Sequence, residues 1–262
     1  WSDKESSIDW TPTSTNQAGG VQLSQGSTII GALRTRQEIL IWTDVGIVSM
    51  RFVGEPFIFS FAEVAQGPSL ISPNAAVNAN NRVYFMDRGG FYSYSGNAQR
   101  LACTVLDHIY SDINLGQQFK VFGTSNENNN EVIWFYPSAN SMEIDKYVIY
   151  NYLENTWSIG TTSDGFTRTA WIEAPSLDFP LAAAKTTGSN TNYLYNQEKG
   201  HSNDGEAFTA YIESSDFDLA PDGERFTFIS KLIPDVEFRD QQSTSDSVTF
   251  TIKGRDYPLQ DL

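Results

Sequence analysis

Four carboxylates, Asp44, Asp87, Glu131 and Asp145, have the best claim to chemistry in this chain. Two Asp or Glu side chains held roughly 5 to 10 Å apart can divide the acid and base work of glycoside hydrolysis between them. Asp44 and Asp87, however, stand in matching places within two related segments, ILIWTDVGIVSMRFVG (39–54) and VYFMDRGGFYSYSG (83–96). An Asp next to a hairpin glycine is explained by turn chemistry alone, because its side chain bonds the backbone of the turn. We therefore assign no catalytic residue and read Asp44, Gly46, Asp87, Gly89 and Gly90 as hairpin-turn residues, with φ > 0 as the simplest demand on Gly89-Gly90. Thr162-Ser163-Asp164-Gly165-Phe166 with Trp171 approaches the Asp-box of sialidases, but its glycine falls one position early.

Other chemistry is sparse. His108 and His201 lack the spacing of a metal site, and there is no nucleophile elbow, phosphate loop or dinucleotide fingerprint. Cys103, beside Leu101 and Val105, is the chain's one cysteine, so no internal disulfide forms and the thiol reads as a small buried hydrophobe. Asn203-Asp204-Gly205-Glu206 and the run Asp216, Asp218, Asp222, Glu224 offer oxygen ligands of the kind Ca²⁺ takes, but without a twelve-residue calcium loop they read as solvated acidic turns. No metal and no cofactor is expected.

The elements that carry these residues are strands. In both repeated segments an apolar run ends at Asp, a glycine turn follows, and a second run carries Ser, at Ser49 and Ser93. Asp44 and Asp87 are 43 residues apart, and paired strands recurring at about 40 to 50 residues are the mark of propeller blades. The expected fold is mainly β: propeller-like hairpin repeats, one amphipathic surface helix and a β-rich C-terminal part. Its domains are 1–205, propeller-like, and 206–262, a further blade or a separate β module.

Along the chain, 1–20 reads as polar surface loop with Trp1 and Trp10 as anchors, and Gln22–Leu33 as an outer strand before the first hairpin. Phe57, Phe59 and Phe61 alternate as the core face of a strand. Leu101, Val105, Ile109 and Ile113 fall four apart and predict a helix over 100–113, ended by αL-tolerant Asn114-Leu115-Gly116, with Asp107, His108 and Asp112 on its solvated face. Val132–Tyr136 pairs with Tyr147–Tyr152, and Trp157 after an Asn turn approaches the kelch pattern. Leu181–Lys185 pairs with Tyr193–Asn196, and Ala207–Ser214, Phe226–Ile233, Val236–Phe238 and Val248–Gly254 are the C-terminal strands. Trp42, Tyr84, Phe91, Trp134, Tyr150, Trp157 and Trp171 are the aromatic anchors expected to pack the blades.

With 262 residues, 40% of them hydrophobic and 13% aromatic, the chain can bury a large core. Its 17 Lys+Arg against 32 Asp+Glu give a formal charge of −15, which opposes any grip on nucleic-acid phosphates or anionic lipid. No apolar stretch approaches the ~20 residues of a membrane helix, and no charged-then-apolar leader is visible. The chain opens at Trp1 and stops at Leu262 without a polar tail, so we expect truncated or cleaved ends and treat any blade count as a lower bound.

Several motifs in order resemble one family. The opening WSDKESSIDWTPTSTNQAGG, the two repeated hairpins, CTVLDHIYSDIN, and EIDKYVIYNYLENTWSIG followed by Arg168-Thr169-Ala170-Trp171 are similar to the nozzle or hub proteins of short-tailed (podovirus-type) bacteriophage tails. The resemblance runs from Trp1 to about Asp235. It implies a propeller-rich virion protein forming a homo-oligomeric ring, commonly of six copies, that docks to adaptor, fibre or other tail proteins. Double-stranded DNA would then pass through as cargo, and part of the −15 would face the channel and repel it. Set against this are a host-facing propeller that binds carbohydrate and, further off, a glycosidase.

Overall fold

A computed structural model describes residues 1–23, 26, 28–162, 166–174, 176–186, 191–200, 210–214, 228–236 and 247–254. The chain divides into two units, Trp1–Ala207 and Phe208–Leu262. The first is mainly β and holds four antiparallel sheets, each made of strands consecutive in sequence.

Sheet 1 is β1 (Ile29–Arg34), β2 (Ile39–Thr43), β3 (Gly46–Gly54) and β4 (Ile58–Gln66). Sheet 2 is β5 (Ala76–Ala79), β6 (Arg82–Asp87), β7 (Gly90–Tyr94) and β8 (Ala98–Arg100). A short helix, α1 (Leu106–Asp112), leads to sheet 3: β9 (Phe122–Asn126), β10 (Glu131–Tyr136), β11 (Lys146–Asn151) and β12 (Thr156–Thr161). Sheet 4 has three strands, β13 (Phe166–Ile172), β14 (Leu181–Thr186) and β15 (Asn192–Asn196). In every sheet each strand pairs with its neighbour in sequence.

Burial orders the sheets. Val83–Met86 of β6 and Val132–Tyr136 of β10 are buried at every position, which a strand achieves only when both faces are covered. Sheets 2 and 3 are therefore interior, and β4 and β15, with most positions partly or fully exposed, mark outer faces. The first strands also pack in series, β1 against β5, β5 against β9 and β9 against β13. This convergence demands small residues. A Cβ on Gly123 of β9 would stand 2.5 Å from Val77 Cγ2, and one on Gly31 of β1 would stand 3.0 Å from the Pro73 carbonyl oxygen.

Several expectations are corrected. β1 is an inner first strand, not an outer one, and it begins at Ile29. The helix is shorter than 100–113, because Leu101 donates its N–H to the Phe91 carbonyl and so continues the sheet. The intervening Cys103, Thr104 and Val105 are poor helix formers. Ile113 leaves the helix extended, and Asn114 does not adopt αL but opens a 3₁₀ turn (115–120), its side chain accepting from Gly116 N at 3.0 Å.

Gly89 and Gly90 have no left-handed backbone; in these hairpins that geometry falls to Gly54 and Gly96 and to asparagines, Asn80 and Asn81 between β5 and β6, Asn130 before β10 and Asn155 before β12. Phe57 lies outside the core, 75% exposed, while Phe59 and Phe61 are covered by Trp1 of the N-terminal segment at 5.2 and 6.2 Å. In the second unit, 210–214, 228–236 and 247–254 are exposed and adopt neither strand nor helix. No apolar face there is buried against a partner, which strand pairing in water needs. The rest of the four expected C-terminal strands, with His201, Asn203–Glu206 and Asp216–Glu224, lies outside the described residues, as do Ser163, Asp164 and Gly165.

Candidate functional site

The residues singled out by sequence converge on the seams between sheets, which are aromatic. Trp42 of β2 meets Phe85 of β6 at 5.4 Å across the first seam. Across the second, Phe91 of β7 lies 4.9 Å from Trp134 and 4.8 Å from Trp157, and Tyr84 lies 5.9 Å from Tyr150. Trp171 of β13 reaches Phe135 at 5.9 Å across the third. All seven proposed anchors therefore lie at seams, with Trp42 and Trp134 fully buried. Two also bond across: Trp134 Nε1 donates to the Ala75 carbonyl at 3.0 Å and Trp157 Nε1 to the Ala102 carbonyl at 2.8 Å.

The repeated turns superimpose differently from their sequence alignment. Leu40 pairs with Ser49 and Tyr84 with Ser93, so in strand register the structural period is that of the serines, 44 residues. Thr43, not Asp44, then matches Asp87. Thr43 closes its turn by donating to the Gly46 carbonyl and accepting from Gly46 N at 3.1 Å, while Asp44 Oδ1 accepts from Thr28 N at 3.3 Å and so ties down the approach to β1. Gly46 is required for space rather than for φ, since its Cβ would lie 2.4 Å from the Ala65 carbonyl oxygen.

Glu131 and Asp145 are not brought together as an acid–base pair. Glu131 begins β10, whereas Asp145 sits beyond its other end, where Asp145 N donates to the Tyr136 carbonyl. Six strand residues separate those ends by about 17 Å, and both Asp145 oxygens accept from Ser138, at 2.7 and 2.6 Å. Burial pushes the Asp87 carboxyl above its usual value, and Tyr110 of α1 donates to the Asp87 carbonyl at 2.5 Å. Asp112, on the predicted polar face of the helix, pairs with Lys146 at 2.8 Å. Among the described residues no group of three or more His, Cys, Asp or Glu could hold a metal ion, and no helix is long and apolar enough to cross a membrane. A shallow depression on sheet 4, lined by Thr169, Ala183, Ala184, Asn192, Tyr193 and Leu194, contains no carboxylate.

No family model matches the chain, and no curated protein matches it.

A polar triad missed by the sequence reading spans the first seam. Glu38, before β2, accepts from the Tyr94 hydroxyl of β7 at 2.5 Å and from Arg51 Nε of β3 at 2.8 Å, with its side chain 6% exposed. Burial alone would raise the Glu38 carboxyl, but bonds from Tyr94, Arg51 and Ser49 together hold it below its usual 4.5. Burial and then Glu38 push the Tyr94 hydroxyl up to about 12. The only sequence signal was a charged residue directly ahead of an apolar strand. A depressed carboxylate contributes stability above its unfolded value and loses it as pH falls through the lower folded one. Glu38→Gln is accordingly expected to cost about 1–3 kcal/mol at pH 7 and to flatten the loss of stability below pH 4.5, read by urea denaturation at pH 7 and pH 3.

Proposed function

We propose that this chain is a propeller-like scaffold that acts by assembly, forming by homo-oligomerisation one ring, a nozzle or hub, of the DNA-ejection conduit in a short-tailed bacteriophage virion. The observation that carries the reading is the serial packing of first strands β1, β5, β9 and β13, each opening a meander that fans outward. That is how propeller blades meet at an axis, and it leaves turns and outer strands free to meet neighbours. The family resemblance of the ordered motifs supplies the tail context, with six copies as the expected ring and adaptor, fibre or other tail proteins as docking partners.

In this role no bond is made or broken and no cofactor is used; the separation of Glu131 from Asp145 supports that reading over glycoside hydrolysis. Acidic surface suits a tube through which DNA slides. The four first strands carry no Asp or Glu, so repulsive charge facing the tube comes from turns and connecting segments. A second reading, a host-facing carbohydrate binder, draws on exposed Trp10 and Phe57.

The native mass separates these readings. Light scattering of the purified protein at low and high salt is expected to give a closed multiple of 29.2 kDa. A monomer that retains a glycan column through Trp10 or Phe57 would replace the assembly reading with the second.

A further inference from the structure

Among the described residues, four buried side-chain polar atoms have no hydrogen-bond partner, and three of them line one seam. Asn126 Oδ1, Arg168 Nη1 and Trp171 Nε1 lie between sheets 3 and 4, while the fourth, Trp42 Nε1, lies elsewhere. A buried polar atom without a partner keeps the full cost of leaving water. The apolar part of this seam is thin: Ile133, Phe135 and Ile144 form its buried centre, and Trp171 packs on them from sheet 4.

Charge adds to the weakness. Glu131 faces sheet 4 from β10, on the same side as Ile133 and Phe135, and accepts from Asn126 Nδ2 at 3.1 Å. Around it stand Glu198 after β15, with Asn129 Nδ2 3.5 Å from its Oε2, and Tyr147 of β11, within the field of both carboxylates. Nearby, Glu127 N donates to both oxygens of Glu173, at 3.1 and 2.9 Å. The cation facing this end of the seam is Arg168, whose guanidinium lies 5.3 Å from the Tyr195 ring and whose Nε reaches Gln197 at 3.5 Å. Lys199 is turned to the Phe179 ring.

We propose that the seam between sheets 3 and 4 is a proton-operated latch, in which ionised Glu131 holds sheet 4 loosely and its protonation closes sheet 4 onto sheet 3. The inference stands apart from ring assembly. Burial first, and then Glu198, raise the Glu131 carboxyl above 4.5, with the Asn126 bond opposing. A carboxyl raised in the closed form binds its proton more tightly there than in the open form. Closure is therefore favoured as pH falls through the raised value, and the gain is complete below 4.5. The first seam works in the opposite sense, because Glu38 loses its bonds only when pH falls below 4.5. Between 4.5 and the raised value of Glu131, sheet 4 tightens while the first seam keeps its bonds.

The test is amide hydrogen exchange on the full chain from pH 8 to pH 5, corrected for intrinsic rates, with protection of β14 read relative to β6. The ratio is expected to rise on acidification, about tenfold for each unit by which the Glu131 value exceeds its usual one. Glu131→Gln should show high β14 protection at every pH and no response. Glu198→Gln, which leaves Glu131 in place, should keep only part of the response and serves if the first variant does not fold. A flat ratio in the natural chain, or an unchanged response in either variant, would overturn the latch.

Discussion

Trp134→Ala should lower stability by about 3–5 kcal/mol, the largest loss expected from any single change in this chain. The indole is fully buried at the centre of the second seam, 4.9 Å from Phe91 and 6.3 Å from Trp157, and its Nε1 holds the Ala75 carbonyl. Truncation removes the ring, opens a cavity bounded by two other aromatics and strands a carbonyl. Urea denaturation followed by circular dichroism measures the loss, and a value below 1 kcal/mol would rule out the burial. Trp134→Phe separates the parts, since it keeps most of the packing and loses the bond to Ala75, for a smaller cost of about 1–3 kcal/mol.

The second large effect is expected at a residue without reactive chemistry. Gly123→Val places a Cβ 2.5 Å from Val77 Cγ2 and 3.1 Å from the Trp134 ring, between first strands that approach closely. Val77 is buried and short, so it cannot swing aside, and a shift of β9 strains the bond from Gly123 N to the Asn74 carbonyl at 2.8 Å. Overpacking of this kind costs roughly 2–3 kcal/mol. Gly89→Ala is the control. Nothing lies within 4 Å of its Cβ position and its backbone is not left-handed, so its thermal midpoint should hold to within about 0.5 kcal/mol of equivalent stability.

That contrast shows where sequence reading succeeds and stops. The hairpins β2–β3, β6–β7, β10–β11 and β14–β15 were legible because long apolar runs flank polar turns, and the aromatic residues singled out make ring contacts across the seams. Strands β5, β8 and β9 were not, because strands of three to five residues with small or polar side chains carry no period of their own. Their strand character comes from the neighbour they pair with. The helix was overextended for the converse reason: Leu101 and Val105 keep the four-residue spacing, but a sheet carbonyl takes the Leu101 amide.

The candidate site was half visible. Aromatic residues signal burial by type, whereas Glu38, Tyr94, Arg168 and Glu198 acquire meaning only when strands distant in sequence lie side by side. Glycine misled in a specific way. Gly89-Gly90 attracted notice as a doublet, yet the glycines that the packing requires, Gly31, Gly46 and Gly123, stand alone within or at the ends of strands.

The pairing of consecutive strands within each sheet also governs how this chain reaches its fold. All the hydrogen-bonded pairs within a sheet close over short loops, so each meander can form from local encounters, with only the seams joining distant segments. During synthesis at roughly 5–20 residues per second, this order allows sheet 1 to form before β5 leaves the ribosome, with each later described sheet able to dock onto a surface already in place. The last of the described sheets, sheet 4, meets the thinnest seam, so among them the C-terminal joint has the least apolar packing to hold it.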